Sequence, residues 1–176
     1  MSNILDSEVE ALFKRWLEWL EHEKRVSPNT LAAYRRDMGF FFDFLAEYLG
    51  KRITIKTLEG LDAADIRAFL AQRLRAGNVA RSNARILASL RNFFTYAEAS
   101  DIFKNAQIFA VRSPKLPKSM PKDITSEQFS LLIRALKTSE KEWVNLRNVA
   151  LTLLIYATGL RISEALGLTK SALNQQ

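Results

Sequence analysis

A proline-rich stretch divides this chain into two parts, and both parts are patterned as helices. Proline lacks the backbone donor that a helix needs, so closely spaced prolines exclude a continuous helix and favour a semi-rigid, extended linker. We therefore predict an N-terminal domain over residues 1–112, a linker over 113–122, and the start of a second domain over 123–176. In the linker, prolines alternate with lysines at Pro114, Lys115, Pro117, Lys118, Pro121 and Lys122.

Apolar residues recur along both parts at the three- and four-residue spacing of helices that bury one face. No segment shows the alternating pattern that would favour a half-buried strand, and Gly50 to Thr57 is expected to be a loop or a short extended piece. We therefore predict an all-α fold class. The predicted helices cover residues 6–25, 28–48, 62–77, 80–99 and 102–109, a segment that starts near 126, and residues 142–158.

Capping residues mark where several of these helices begin and end. Ser27 followed by Pro28 is typical of an N-cap and a first helical residue. Thr125 with Gln128 three residues later has the pattern of a capping box. Gly77 stands where a residue in the left-handed conformation would end the third long helix.

The composition excludes several kinds of site. The chain has no cysteine, so disulfides and thiolate metal sites cannot form, and its single histidine, His22, excludes a zinc site built from clustered histidines. We predict no metal. The N-terminus lacks the basic and apolar regions of a signal peptide, and the longest apolar stretch, near 149–157, is too short to span a bilayer. We therefore expect a soluble, cytoplasmic protein with no membrane partner.

Basic residues are concentrated in one part of the chain. The formal net charge is +7 at pH 7, which favours a polyanionic partner. No acidic residue occurs between Arg67 and Ala97, whereas the first 60 residues are nearly balanced in charge. The same acid-free segment contains the arginines 67, 73, 75, 81, 85 and 91.

The predicted helix over 80–99 has one basic face. At 100° per residue, Arg81, Arg85, Ala88 and Asn92 fall on one stripe, and the apolar residues lie opposite. A solvated charged face is the usual meaning of such a stripe. Solvated faces normally mix glutamate with lysine, however, and acid is missing here. We therefore interpret Arg81, Arg85 and Asn92 as donors to phosphate oxygens or base edges.

The second predicted helix could supply a partner for that stripe. Thr30, Ala33, Tyr34 and Asp37 lie along one of its sides, and its phenylalanines lie on the other. The small side chain of Ala33 would let the helix approach a groove. A tyrosine at this spacing is more often part of a core than a contact.

Residues 157–168 place one arginine just beyond a hydrophobic helix. Gly159 can take the left-handed conformation that ends the helix, and Arg161 opens a new turn. Glu164, three residues on, is near enough to orient the guanidinium. An Arg–Glu surface pair that caps a helix is the alternative interpretation. The apolar residues that we expect to anchor this short helix to a core are Ala165, Leu166 and Leu168.

The order and spacing of four segments resemble those of the Xer-type tyrosine recombinases of the phage integrase family. The match covers nearly the whole chain. It implies an N-terminal, SAM-like helical core-binding domain that forms one half of a C-shaped clamp on double-stranded DNA, joined to the start of a catalytic domain. The segments are residues 27–35, 81–94, 113–122 and 157–168.

The resemblance also implies a chemistry. In that family a tyrosine attacks a DNA phosphodiester to leave a 3′-phosphotyrosyl link, within a tetrameric synaptic complex and without a metal or nucleotide cofactor. Two arginines hold the non-bridging oxygens, and the match makes Arg161 the first of them, with Glu164 as its support. The residues that we predict to contact DNA are Thr30, Tyr34, Arg81, Ser82, Arg85, Arg91, Lys118 and Lys122.

Other parts of the family's catalytic machinery belong downstream of residue 176, so we expect the catalytic domain to be incomplete in this chain. They are the catalytic lysine, the His-x-x-Arg motif and the nucleophilic tyrosine. Tyr156 lies in the apolar helix, where core packing is the expected role. We therefore expect this polypeptide to bind DNA without cleaving it. The alternatives are a stand-alone DNA-binding module, or a helical protein-interaction domain whose arginines meet acidic protein surfaces.

Overall fold

The structure is a computed structural model that describes residues 4–115 and 123–169. Within these ranges the chain is all-α, as predicted, and none of its helices combines the length and hydropathy needed to cross a membrane. The chain divides into two compact units, Met1–Lys118 and Ser119–Gln176. The described helices are α1 (Ser7–His22), α2 (Pro28–Leu49), α3 (Ile55–Glu59), α4 (Ala63–Arg75), α5 (Ala80–Ala99), α6 (Gln107–Ala110), α7 (Ser126–Ala135), α8 (Glu142–Thr158) and α9 (Ile162–Leu166).

The first unit is built around α5, which packs against α1, α2, α4 and α6. The predicted apolar face of this helix is confirmed, because its members are all buried. Their burial leaves the polar stripe of α5 facing outward or toward α2. The buried residues of that apolar face are Ile86, Leu90, Phe93, Phe94 and Ala97.

Aromatic side chains lock α1, α2 and α5 together. The ring of Phe13 meets Phe42 edge-on at 5.5 Å, and Trp16 meets Phe93 edge-on at 5.3 Å. Each such pair contributes about 0.5–1.5 kcal/mol beyond the area that it buries. The relative placement of α2 and α5 is therefore set by a rigid core beneath them.

Several predicted helix ends are confirmed. Ser27 Oγ accepts a hydrogen bond from the Thr30 amide at 3.2 Å, with Pro28 in the first turn. Thr125 and Gln128 form the predicted capping box at the start of α7. Gly77, just beyond α4, has a φ of +84°, as expected for the residue that ends a helix.

The predicted helix over 102–109 is wrong in its first half, because only Gln107–Ala110 is helical. The buried side chain of Asn105 explains the difference. Its Nδ2 donates to three backbone carbonyls in and just after α3, and its Oδ1 accepts from the Gln107 amide at 2.8 Å. A side chain that bonds backbone groups in this way competes with helix formation. The three carbonyls belong to Leu58 at 3.0 Å, Glu59 at 3.0 Å and Leu61 at 2.8 Å.

The segment from Gly50 to Thr57 is extended only at its centre. Ile53 forms an isolated parallel bridge with Leu5, in which the Ile53 amide donates to the Ile4 carbonyl at 2.8 Å. The short helix α3 then begins at Ile55, with Thr54 as its N-cap. This bridge ties the start of the chain to the rest of the first unit.

The second unit comprises α7, α8 and α9. Phe129 of α7 stacks on Tyr156 of α8 at 3.9 Å, yet Tyr156 remains 51% exposed, so the prediction that it packs in a core is wrong. Ala165 is buried as predicted, but Leu166 and Leu168 are 67% and 37% exposed, so the prediction that they anchor α9 to a core is wrong. The reason is geometric, since three helices in the described part of this unit enclose little volume.

Candidate nucleic-acid interface

Side chains of α1, α2 and α5 meet in one continuous chain of contacts. Tyr34 of α2 lies flat on the indole of Trp16, with 5.9 Å between ring centroids and 4° between planes. The Trp16 Nε1 donates to Asn92 Oδ1 of α5 at 2.8 Å. Tyr34 and Asn92 both remain partly exposed. The structure thus brings the predicted contact residues of two separate helices onto one surface, which we call the α2–α5 surface.

Arg85 forms an ion pair at this surface. Its Nη2 donates to Asp37 Oδ1 of α2 at 2.9 Å, and its side chain is 40% exposed. Asp37 is fully buried, and its Oδ2 accepts a hydrogen bond from Ser89 Oγ at 2.8 Å. Burial raises the pKa of Asp37, while the hydrogen bond from Ser89 and the charge of Arg85 act in the opposite direction.

The sequence pattern puts Asp37 on the side of α2 that carries Thr30 and Tyr34, but it does not predict that Asp37 is buried as the partner of Arg85. The local signal was a single carboxylate next to Met38, a residue that is itself fully buried. A buried charge is costly unless it is paired, so this pattern indicates a basic partner on a neighbouring element. It does not say which arginine provides the pair.

Arg73 belongs to a second polar network, which joins the end of α4 to the start of α5. Its buried guanidinium donates through Nε to Asn83 Oδ1 at 3.1 Å and through Nη2 to Ser82 Oγ at 3.2 Å. Asn83 Nδ2 in turn donates to the Leu70 carbonyl at 2.9 Å. Burial lowers the pKa of Arg73. This arginine of the acid-free segment is therefore a structural residue, and the predicted contact residue Ser82 lies beside it.

The other predicted contact residues of the first unit have different surroundings. Arg81 is exposed and has no hydrogen-bond or ion-pair partner among the described residues. Thr30 Oγ1 lies 2.9 Å from Ser27 Oγ at the start of α2. Lys118 and Lys122 lie outside the described residues. Arg81 is thus the predicted contact whose side chain is most open to an added ligand.

Arg91 points away from the α2–α5 surface. It lies about 120° around α5 from Arg85, because six residues separate the two. Its Nη2 donates to the Val111 carbonyl, and its Nη1 lies 3.4 Å from Ser113 Oγ. Its Nε is buried with no hydrogen-bond partner in the part of the chain that the structure describes. Arg91 therefore fastens the segment that leaves α6.

Arg161 occupies the N-cap of α9 in the second unit. Its Nη1 donates to Glu164 Oε1 at 2.9 Å, and its backbone amide donates to Glu164 Oε2 at 2.8 Å. One carboxylate thus fixes the side chain of this residue, as the sequence predicts, and also its main chain. The Arg161 side chain is nevertheless 83% exposed, so its remaining N–H donors are available to an oxyanion.

The turn between α8 and α9 sets the direction of Arg161. Gly159 has a φ of +69° and donates its amide to the Ile155 carbonyl at 2.9 Å. Thr158 Oγ1 donates to the Leu154 carbonyl and accepts from the Leu160 amide at 3.3 Å. These bonds close the end of α8, and Arg161 follows, exposed, at the N-cap of α9.

The chemistry available at these places is that of anion binding. Arginine offers five N–H donors in a planar fork that matches phosphate oxygens. No group of histidine, cysteine or acidic side chains suited to a metal ion occurs within residues 4–115 and 123–169. Arg81, Arg85 and Arg161 therefore define two candidate phosphate contacts in the first unit and one in the second.

Most of the first unit matches the model of a protein family. Residues 13–101 match the model of the phage integrase family described as its N-terminal SAM-like domain. This region is slightly more than half of the chain. It includes α2, α4 and α5, and therefore the whole α2–α5 surface.

Individual relatives match over almost the whole chain. The tyrosine recombinase XerC of Agrobacterium fabrum is 42% identical over 155 residues, which cover 88% of this chain and 49% of that protein. The XerC of Rhizobium meliloti is 42% identical over 163 residues, covering 92% and 51%. That of Rickettsia prowazekii is 36% identical over 168 residues, covering 95% and 55%. The chain spans about half the length of the curated relatives it matches.

Proposed function

This chain belongs to the Xer-type tyrosine recombinases of the phage integrase family, and we propose that it forms the DNA-binding portion of a site-specific recombinase. In this proposal residues 1–112 are a core-binding domain, 113–122 a linker, and 123–176 the first helices of a catalytic domain. The observation that carries the proposal is the α2–α5 surface, where Arg81 and Arg85 project from a rigid aromatic core.

The α2–α5 surface supports DNA binding through its charge and its shape. Arg81 is exposed on α5, and the partly exposed Arg85 presents further N–H donors on the same helix. No acidic residue occurs from 66 to 97, and Asp37, the α2 carboxylate that pairs with Arg85, is buried. The exposed Ala88, which follows Arg85 on the same stripe, is small and lets α5 approach a groove closely. Phosphate contacts would then fix the position and base-edge contacts would give specificity.

The turn at Arg161 supports a catalytic role in the complete recombinase. Negative charge accumulates on the non-bridging oxygens as a tyrosine oxygen attacks phosphorus and the 5′-oxygen leaves. A guanidinium held in place by Glu164 stabilises that charge without having to reorganise. Arg161 would thus bind the phosphate at the reacting centre, and Glu164 would act as a positioning residue.

The complete reaction requires groups beyond those proposed here. We propose that the full recombinase assembles as a tetrameric synaptic complex on duplex DNA, and that a polypeptide of residues 1–176 binds DNA without cleaving it. The placement of the tyrosines in residues 1–176 supports the proposal that this polypeptide does not cleave DNA. Tyr34 stacks on Trp16 and Tyr48 on Phe44, and Tyr96 packs at a tilt against Trp19, all in the first unit. Tyr156 stacks on Phe129 in the second unit.

A competition experiment tests the proposed function against the protein-interaction alternative. Residues 1–176 are bound to a fluorescent duplex, and unlabelled duplex DNA or polyglutamate of equal total charge is added. We expect duplex DNA to displace the probe at far lower concentration, because helical grooves and phosphate spacing are recognised as well as charge. Equal displacement by polyglutamate would favour an acidic protein partner and contradict the proposal.

A further inference from the structure

Asp37 is the one buried carboxylate among the residues that the structure describes. Its two oxygens are used in different ways, since Oδ1 accepts from Arg85 Nη2 at 2.9 Å and Oδ2 accepts from Ser89 Oγ at 2.8 Å. Arg85 and Ser89 are four residues apart, so they lie on the same face of α5. One side chain of α2 therefore holds two consecutive turns of α5.

The ion pair leaves most of the Arg85 guanidinium unused. A guanidinium has five N–H donors, and Asp37 takes the hydrogen of one nitrogen, Nη2. The Arg85 side chain is 40% exposed while Asp37 is not exposed at all, so a ligand can reach Arg85 without contacting the carboxylate. Unused donors thus face the solvent in a fixed direction, whereas the side chain of a free arginine samples many rotamers.

We propose that Asp37 is a positioning residue, which holds the guanidinium of Arg85 in the orientation that DNA binding requires. This inference rests on the proposed function, because it assumes that the α2–α5 surface meets DNA. The orienting contact lowers the entropy that Arg85 loses on binding, since its rotamer is already selected in the free protein. A bidentate contact to a base edge or a phosphate depends on this orientation more than on charge.

If charge alone determined DNA affinity, removing Asp37 would have the opposite effect. A carboxylate 2.9 Å from Arg85 partly neutralises the arginine and repels phosphate, so its removal would strengthen DNA binding if charge alone mattered. If Asp37 instead orients Arg85, removing Asp37 should weaken DNA binding. The sign of the change therefore distinguishes the two accounts.

The test is a double-mutant cycle in DNA binding, carried out on the 176-residue chain with variants shown by circular dichroism to be folded. Arg85→Ala is expected to lower the affinity for duplex DNA on the order of tenfold. Asp37→Asn, which replaces the charge-assisted hydrogen bond to Arg85 by a weaker neutral one, is expected to cause a part of the same loss. The double variant should bind no more weakly than Arg85→Ala, because the two residues act as one unit.

Arg81 supplies the matched control, since it is exposed on the same helix and does not touch Asp37. The losses caused by Asp37→Asn and Arg81→Ala should multiply in the double variant. Wild-type or tighter binding by Asp37→Asn would overturn the proposal, as would losses that multiply for Asp37→Asn and Arg85→Ala.

A second variant keeps the test decisive if Asp37→Asn does not fold. Arg85→Lys retains the charge and a partner for Asp37 but cannot reproduce the planar fork. Orientation predicts that this variant binds nearly as weakly as Arg85→Ala, and wild-type affinity would overturn the proposal. Failure of the wild-type chain itself to bind DNA would instead overturn the proposed function, and this inference with it.

Discussion

The Nη2 of Arg85 lies 2.9 Å from the Oδ1 of Asp37, although the two residues are 48 positions apart in the sequence. This contact joins α5 to α2 at the surface that we propose meets DNA. The same pair therefore contributes to the stability of the first unit and to its binding surface. Stability and affinity must be measured on the same variants to separate the two contributions.

Replacement of Arg85 by alanine is predicted to destabilise the first unit. The change leaves Asp37 buried with only the hydrogen bond from Ser89, and an unsatisfied buried acceptor costs about 1–3 kcal/mol. Arg81→Ala should change the free energy of unfolding by less than about 0.5 kcal/mol, because Arg81 is exposed.

Urea unfolding checks this prediction in a Trp143→Phe background. Tryptophan fluorescence then reports on Trp16 and Trp19, which both belong to the first unit. Equal stability of Arg85→Ala and Arg81→Ala would show that the pair with Asp37 contributes nothing measurable.

The stability contribution of Asp37 should depend on pH. Burial raises the pKa of Asp37 above its usual 3.8, even though Ser89, Arg85, Arg73 and Arg36 act to lower it. The native state therefore binds a proton more readily than the unfolded state does. This contribution is fully present below pH 3.8 and is lost as the pH rises through the native pKa.

The measurement compares wild type with Asp37→Asn, whose side chain does not titrate. The free energy of unfolding of wild type minus that of the variant should grow as the pH is lowered from about 7 toward about 4. A difference that shrinks on acidification would mean that the attraction of Arg85 outweighs the burial of the carboxylate.

Asn105 is predicted to be critical for the packing of α3 and α6. Asn105→Asp keeps the size and the acceptor for the Gln107 amide but removes the donors to the carbonyls of Leu58, Glu59 and Leu61. It also brings a carboxylate close to those oxygens. We expect a loss of at least about 2 kcal/mol in the free energy of unfolding, measured by urea denaturation.

A nearby exposed residue provides the control for Asn105. Gln107→Ala removes an exposed side chain and should be neutral within about 0.5 kcal/mol. Comparable stability of Asn105→Asp and Gln107→Ala would contradict the role assigned to Asn105.

Most of the helices could be predicted because their signals are local. Ser27 with Thr30 and Thr125 with Gln128 are three residues apart, so each cap is visible in a short stretch of sequence. The start of α6 was mispredicted because Asn105 is held by carbonyls 44 to 47 residues away. A contact between residues so far apart produces no local pattern in the sequence.

In the candidate sites too, local features were predictable and long-range contacts were not. The Arg161–Glu164 pair was predictable because an i,i+3 spacing alone brings the two side chains together at a helix start. The basic stripe of α5 was also predictable from its period. The partner of Arg85 was not, because it depends on how α2 packs against α5. The exposure of Leu166 was missed for a similar reason, since apolar spacing does not reveal how much of a unit surrounds it.

Arg161 is predicted to matter little for the DNA affinity of the 176-residue chain. A single exposed phosphate contact is worth less than about 1 kcal/mol, so Arg161→Ala should change the dissociation constant by less than about fivefold in a titration at moderate salt. The chain should also form no detergent-resistant covalent adduct with a nicked suicide substrate. An adduct that maps to Tyr34, Tyr48, Tyr96 or Tyr156 would reveal a nucleophile that this account does not include.

DNA binding through the arginines of the α2–α5 surface is the central claim, and its salt dependence tests it most directly. Equilibrium binding of residues 1–176 to a duplex should weaken steeply with salt, with a log–log slope near −0.9 for each neutralised phosphate. Replacing Arg81 by alanine should reduce the magnitude of that slope by about one contact. Binding that is undetectable at low salt, or a slope unchanged by Arg81→Ala and by Arg85→Ala, would contradict the account.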